Sequence, residues 1–531
     1  MQTVSNEWKE NHNEILVSEG FVELSLDIAD PDALADASAT DNGAAYISKT
    51  PQVVSEVDRI ITPYSTLERN LWVLDGTRRT IPTSDISDMG FVSRVLCNEY
   101  GLFGTTVPTV TINFTQTHYN LIPGVTIVWG KAHGEYAKQF IVTAYDGENI
   151  VARKEVVDNN STESIVEMDI KGYDRITIAI IKWCLPHHRV RVEEVFVGTH
   201  KVYTKAELFG YSHTQRVDPV STYLPKTEIQ FSVDNLDNAY DPYNPNGLSK
   251  YLMERQEIKS RYGHKREDKT IEWIKGGTFY LSNWEAPRNG MVANFTARDL
   301  LEFLFVVQKE SVSEITSRSL YDMAESLLLK ADLPLNSDGS LKWYIDESLK
   351  EIYTSAPLPI DTMANCLLMI ANAGRCSLFQ NRGGTLRIEP LSNERCDYTI
   401  TKFNSYRKPE TALSKPIKQI VVKVYSYSIV DGEVKDSTED YVISTSEKGE
   451  VIEIDNPLIT DMNTASAVGE WIADYLRNRI TVDVNWRPDV RVDVLDVVNV
   501  EDDYEDKSMI MTDLEFNFNG SFNGSGEGRV V

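Results

Sequence analysis

Thr227-Glu-Ile-Gln-Phe-Ser-Val233 alternates polar and apolar residues, and Asp234-Asn-Leu-Asp-Asn-Ala-Tyr-Asp-Pro-Tyr-Asn-Pro-Asn-Gly247 follows it directly. Alternation at period two puts one set of side chains on a core and the other in water, as in a half-buried strand. The second stretch is saturated with Asp, Asn, Pro and Gly. These residues turn a chain by bonding their own backbone or by fixing or freeing φ. A strand running into an ordered turn predicts β architecture, and the pattern recurs on both sides.

Toward the N-terminus, Phe21-Val-Glu-Leu-Ser-Leu-Asp-Ile28 alternates in the same way, and Ala33 to Gly43 reads as a loop or a short surface helix. Between residues 90 and 200 come Val107–Phe114, Val125–Trp129, Phe140–Tyr145, Asn149–Val156, Ser164–Ile170, Arg175–Trp183 and Arg189–Val197. Asp146-Gly147 between two apolar runs is a hairpin signal. Short strands at this spacing predict an antiparallel sandwich or jelly roll.

Toward the C-terminus, Gly276-Gly277 precedes a predicted strand, Thr278–Trp284, and Ala297–Val306 is predicted as a helix. Leu320, Met323, Ala324, Leu327, Leu328 and Ala331 form one helical stripe with Ser319 as its cap. A second helix is expected to start at Asp361, bury Ala364, Leu367, Leu368 and Ala371, and end at Gly374. A hairpin should turn at Gly383-Gly384, and a long strand, Ile417–Ile429, at Asp431-Gly432. Val468, Trp471, Ile472, Tyr475 and Leu476 mark an amphipathic helix. Leu514-Glu-Phe-Asn-Phe alternates as a last strand, and Gly524-Ser-Gly526-Glu-Gly528 reads as a flexible end.

The chain has 531 residues, enough for three to four domains at about 150 residues each. It carries 80 acidic and 53 basic residues, a net charge of −27. That balance disfavours a general nucleic-acid binder or a protein held on anionic membranes. Twenty-five tyrosines argue against disorder. No apolar run is long enough to span a bilayer, and the N-terminus carries no signal-peptide pattern. Five scattered cysteines, Cys97, Cys184, Cys366, Cys376 and Cys396, do not form a disulfide framework and read as buried thiols.

The motifs of phosphate loops, zinc helices and nucleophile elbows are absent, so no enzyme is expected. Cys184, His187 and His188 offer soft metal ligands without a second pair, and a strand end with its turn is the better reading. Asp234, Asp237 and Asp241 lack EF-hand spacing and read as Asx turns. No metal and no cofactor is expected. Trp129, His133 and Tyr136, with Trp183 nearby, are candidate carbohydrate-binding residues if their rings are exposed; otherwise they fill the sandwich core.

Phe231-Ser-Val-Asp-Asn-Leu-Asp-Asn-Ala-Tyr-Asp-Pro resembles a segment of the baseplate hub proteins of tailed bacteriophages and contractile injection systems. Phe295-Thr-Ala-Arg-Asp-Leu-Leu, Asn456-Pro-Leu-Ile, the helix over Ala465–Ile480 and Trp486-Arg-Pro-Asp-Val-Arg-Val-Asp-Val-Leu-Asp-Val-Val are similar to further hub segments in the same order. The likeness covers about 216–531, together with 1–76. It implies a mainly β, multidomain chain with α+β parts: tube-like antiparallel β domains, a jelly-roll-like β-sandwich insertion and a small helical segment. The implied division is 1–80, the N-terminal part of a hub β domain; 85–205, a sandwich like carbohydrate-binding modules; 216–310, hub β domain; 311–412, an α+β insertion; and 413–531, a second tube-like domain with one helix. Arg189-Val-Arg-Val-Glu-Glu-Val-Phe-Val-Gly resembles the closing strand of such a module.

What the resemblance implies for function is a homotrimeric ring in a virion, made in the host cytoplasm. It would adapt the tail tube protein to the central spike among other baseplate proteins and let genomic DNA pass. Any lysin would be a separate chain. Acidic groups facing the lumen would let DNA slide, and Thr227–Val233 and Ile417–Ile429 are expected in the tube walls. The alternative is a tail protein that binds host-surface glycans through the sandwich.

Overall fold

The computed structural model describes residues 1–13, 19–55, 63–80, 89–244, 247–287, 291–309, 316–336, 340–392, 395–430 and 433–531. The expected turn at Asp431-Gly432 and Pro245-Asn246 of the long turn lie outside these residues. Chain segments from both ends build one thirteen-stranded sheet. Along its main path the strands are Gly198–Tyr203, Gly20–Ala29, Glu257–Lys265, Ile271–Glu285, Val292–Arg298, Lys226–Asp234, Leu208–Arg216, Lys507–Phe518, Phe522–Val530, Ile480–Trp486 and Glu410–Leu413. Val497–Val500 joins at the side of Lys507–Phe518 and takes Arg395–Ile400 as a parallel neighbour. Lys507–Phe518 is the seam: its C-terminal half pairs with Leu208–Arg216 and its N-terminal half with Val497–Val500.

The alternation at Thr227–Val233 has the expected effect. Ile229, Phe231 and Val233 are buried, and Phe231 stacks on Phe295 of the next strand at 5.0 Å. The following turn is built from Asx bonds, with Asp234, Asp237 and Asp241 accepting from the N–H groups of Leu236, Ala239 and Tyr243. It returns Tyr240 to the core, edge-on to Phe295 at 5.1 Å. Arg382, from the turn after Ser377–Gln380, is inserted into the same core. It donates to the carbonyls of Val490 and Val492, and its Nε lies 3.3 Å from Asp493.

A sandwich interrupts the sheet between Gly20–Ala29 and Gly198–Tyr203. One of its sheets orders Ser38–Asp41, Thr109–His118, Tyr173–Trp183, Ala137–Asp146 and Asn149–Val156; the other orders Phe91–Leu96, Arg189–Phe196, Ile122–Trp129 and Glu163–Ile170. Ser38–Asp41 thus places part of the stretch 1–80 in the sandwich. Ala29 and Gly198, the residues flanking the insertion, are direct partners in register. The joint is short: Arg189–Phe196 passes into Gly198–Tyr203 with one residue between. Gly198 has φ of +152°, and an added Cβ would clash with the Ile28 carbonyl and the Ala29 side chain. Across the joint, His200 Nδ1 bonds Asp27 at 2.6 Å and stacks on Phe196.

A second apolar core lies outside the large sheet. It joins the helices Leu320–Lys330 and Met363–Ala373 to Ile420, Val422 and Val424 and to the helix Met462–Leu476, so segments from 311–412 and 413–531 pack together. Ile417–Val430, expected in a tube wall, lies in a three-stranded sheet of its own, apart from the thirteen-stranded one, with its inward residues facing that helix. Four local expectations also change. Ala297–Val306 holds only the 3-10 turn Leu300–Phe303, capped by Asp299, because Phe295 and Ala297 continue the strand alternation. Thr362, not Asp361, caps the second helix. After that helix Arg375 takes the positive φ while Gly374 stays right-handed. Gly276-Gly277 lies inside the strand Ile271–Glu285, at a register shift, rather than before it.

Candidate functional site

Trp129 is fully buried in the sandwich. Its Nε1 donates to Ser164 at 2.8 Å, and its ring stands edge-on to Phe140 at 4.9 Å and Trp183 at 6.2 Å. A ring with no face in water cannot stack on a sugar, so Trp129 is a core residue rather than a platform. His133 is half-buried in a 3-10 turn, with Nε2 3.5 Å from the Tyr64 carbonyl. Burial, followed by the Arg191 charge, pushes its pKa down to about 4, so the ring is neutral at pH 7. Tyr136 is half-buried and donates its backbone N–H to Cys184 Sγ at 3.2 Å.

The main polar feature beside these residues is a buried ionic cluster. Glu135 accepts from His188 Nδ1 and Trp183 Nε1, each at 2.8 Å, and from Arg191 Nη1 at 3.3 Å. These partners hold its carboxyl below the usual range against the opposing effect of burial. Arg191 reaches Glu68 with its other terminal nitrogen at 2.5 Å. Sequence reading missed the cluster because its members are 68, 135, 188 and 191, and nothing in their spacing brings Glu68 to the others. A trace of it lies in the strand Arg189–Phe196, whose charged residues alternate with valines and are largely buried.

The metal-ligand candidates are used otherwise. His188 is committed to Glu135, His187 sits exposed at a positive φ of 60°, and Cys184 accepts a backbone N–H. Among the described residues no group of three His, Cys, Asp or Glu is placed to hold a metal ion. The five cysteines are unpaired, with Cys97, Cys366 and Cys376 buried.

A second candidate surface is the solvent face of the large sheet. Register aligns Thr296, Gln230, Ser212, Asn517 and Asn523 in one row across five strands. The next row is Arg298, Glu228, Thr214, Glu515 and Ser525, and the next Lys226, Arg216, Asp513 and Glu527. The charges in these rows pair locally: Arg298 and Lys226 lie on Glu228, and Arg216 bonds Asp513. The face is thus a row of amides and hydroxyls bordered by charge that is paired in part, with Glu515 bonded instead to Ser212 and Asn517.

No protein-family model matches the sequence, and no curated protein matches it. Among solved structures the chain is similar to the tail protein from Neisseria meningitidis MC58, at 11% identity and a TM-score of 0.41, covering 62% of this chain and 93% of that one. It is similar to the 43 kDa tail protein of prophage MuSo2 from Shewanella oneidensis, at 11% identity and a TM-score of 0.43, covering 62% and 95%. The lectin domain of lectinolysin matches 32% of this chain and 97% of its own at 12% identity, with a TM-score of 0.20. At these scores the likeness transfers no activity or partner to this chain.

Proposed function

We propose that the chain is a non-enzymatic structural component of a phage tail or baseplate, of the hub type, which assembles with copies of itself into a ring. The observation that carries this is the single large sheet. Both halves of the chain build it, and among the described residues Gly198–Tyr203 and Glu410–Leu413, at the two ends of its path, each pair with a strand on one side only. Open strand ends invite pairing, and closure through copies of the same chain satisfies them without uncontrolled growth. On this reading strands from 1–80, 216–310 and 413–531 form the wall, the sandwich of 85–205 stands out from it, and 311–412 packs outside it. The uncharged row Thr296, Gln230, Ser212, Asn517 and Asn523 suits the passage of DNA, because it offers no array of cations on which phosphates would be held. The net charge of −27 acts in the same sense.

The test is the native mass by light scattering, with negative-stain images of the same peak. Three copies around a central hole are expected. A monomer that stays monomeric in the presence of tail tube and spike proteins would refute the reading. Glycan binding through Trp129, His133 and Tyr136 has less support, since the largest of the three rings is internal.

A further inference from the structure

The buried cluster of the sandwich contains an anion site filled by the chain itself. On the sandwich side the site is Arg191 Nη2 and the backbone N–H of Arg189, which approach the two oxygens of Glu68 at 2.5 and 2.8 Å. The Arg189 guanidinium adds positive charge, with Nε 3.9 Å from the same carboxylate. Two donors on the two oxygens of one carboxylate make a strong and directional cradle. Glu135 cannot fill it, because its oxygens are already taken by His188, Trp183 and Arg191 Nη1.

Glu68 comes from outside the sandwich strands. It lies in the described segment 63–80, whose own β-bridge, Tyr64 to Arg79, is internal. Tyr64 and Leu71 of this segment are buried, whereas Leu67, Trp72 and Leu74 are 81%, 54% and 63% exposed. The segment therefore covers a charged site while turning much of its apolar surface to water. Around the site three buried polar atoms have no hydrogen-bond partner: two donors, Arg191 Nε, on a side chain 1% exposed, and Arg78 Nη1, and one acceptor, His133 Nδ1, in a neutral ring whose Nε2 faces the Tyr64 carbonyl. A lone carboxylate uses the cradle and leaves these three idle. A carboxylate on a hydroxylated ring would use both.

We propose that Glu68 is a built-in occupant of a carboxylate site on the sandwich, and that the site takes the carboxylate of an acidic saccharide, a uronate, when Glu68 leaves it. This is independent of ring formation. Glu68 competes as a tethered ligand at an effective concentration on the order of millimolar, so removing its charge frees the site without adding a contact.

The experiment is calorimetric titration of the full chain and of Glu68→Gln with D-glucuronate, with D-glucose and acetate as controls. Glu68→Gln should bind glucuronate at least about tenfold more tightly than the wild type, a gain of ~1.4 kcal/mol, and show no such gain for glucose or acetate. Equal affinities in the two proteins would overturn the proposal, because Glu68 would then be only an ion-pair partner. Acetate binding as well as glucuronate would overturn the saccharide assignment. A glucuronate-ended oligosaccharide is the further arm: tighter binding than the monomer identifies a polysaccharide source, and equal binding the free acid. Should Glu68→Gln fail to fold, hydrogen exchange on the wild type decides. Glucuronate, and not glucose, should speed exchange of the Ser65, Thr66 and Arg79 amides, which bond within the segment; unchanged exchange would overturn the proposal.

Discussion

Gly524, Gly526 and Gly528 alternate along Phe522–Val530 and so share one face, which lies against Pro488, Met511 and the Ile510 carbonyl. The apparent flexible end is a strand that needs glycine for close approach. Gly528→Ala should cost about 1–3 kcal/mol in urea unfolding, since the new methyl would meet a backbone carbonyl that cannot swing away. His213 is the other informative residue. It is 1% exposed, bonds Tyr262 at 2.7 Å, and burial, followed by the Arg382 charge, drives its pKa well below the imidazole range. The unfolded chain takes up that proton near pH 6.5 while the folded one does not, so stability is complete above this pH and is lost as pH falls. Asp299, pushed up to about 7 by burial, acts in the opposite sense, because the folded state protonates it first. Unfolding midpoints of wild type and His213→Phe between pH 7 and pH 5 separate the two: the variant should show the shallower loss on acidification. Parallel curves would remove His213 from the account.

At the scale of elements, strand and helix identities were legible where periodicity was long. Ser319 caps Leu320–Lys330, whose predicted stripe is buried from Leu320 to Leu328 while Ala331 falls at the C-cap, half-buried, and the hairpins at Gly147 and Gly384 turn where glycine takes a positive φ. The misreadings fall where one alternation continues through another signal, as at Ala297 and Gly276-Gly277. Thr362 is the cap that binds the Asn365 N–H, so Thr362→Ala should cost about 1 kcal/mol in thermal or urea unfolding. The sandwich gives a stronger test. Ala29 and Gly198 are cross-strand partners, so their Cα atoms are about 5 Å apart. Replacing residues 30–197 with an Asn-Gly turn should leave the sheet folded, with a β-type circular dichroism spectrum and the same number of subunits per particle as the parent. Loss of both would make the sandwich part of the wall, through contacts such as Lys250 with Asp169 at 3.2 Å.

For the whole molecule, contacts far apart in sequence hold the halves of the sheet together. Trp8, 1% exposed on the helix Asn6–Asn13, donates to Asp489 at 3.2 Å and packs at 5.2 Å on His264. It thereby ties the strand Glu257–Lys265 to the turn before Val497–Val500. Trp8→Ala should cost about 3–5 kcal/mol in equilibrium unfolding. It should also lower the fraction of ring-sized particles in light scattering, since a displaced half-sheet moves one of the two end strands. Nothing in the N-terminal sequence marks this role, because its partners lie more than 250 residues away.

The sequence by itself determined the local states: the alternating strands, the capped helices, the turn-rich Asp234–Gly247 stretch and the β-rich class. These depend on side-chain period and on φ preferences, which act over a few neighbouring residues. Only the tertiary structure decided that 20–29 and 507–530 share a sheet, that Ile417–Val430 leaves it, that Trp129 is interior and that Glu68 closes on Arg191. Each depends on which surfaces meet after long loops close, and the burial of apolar faces and the pairing of buried charge that choose among those meetings carry no mark in local sequence.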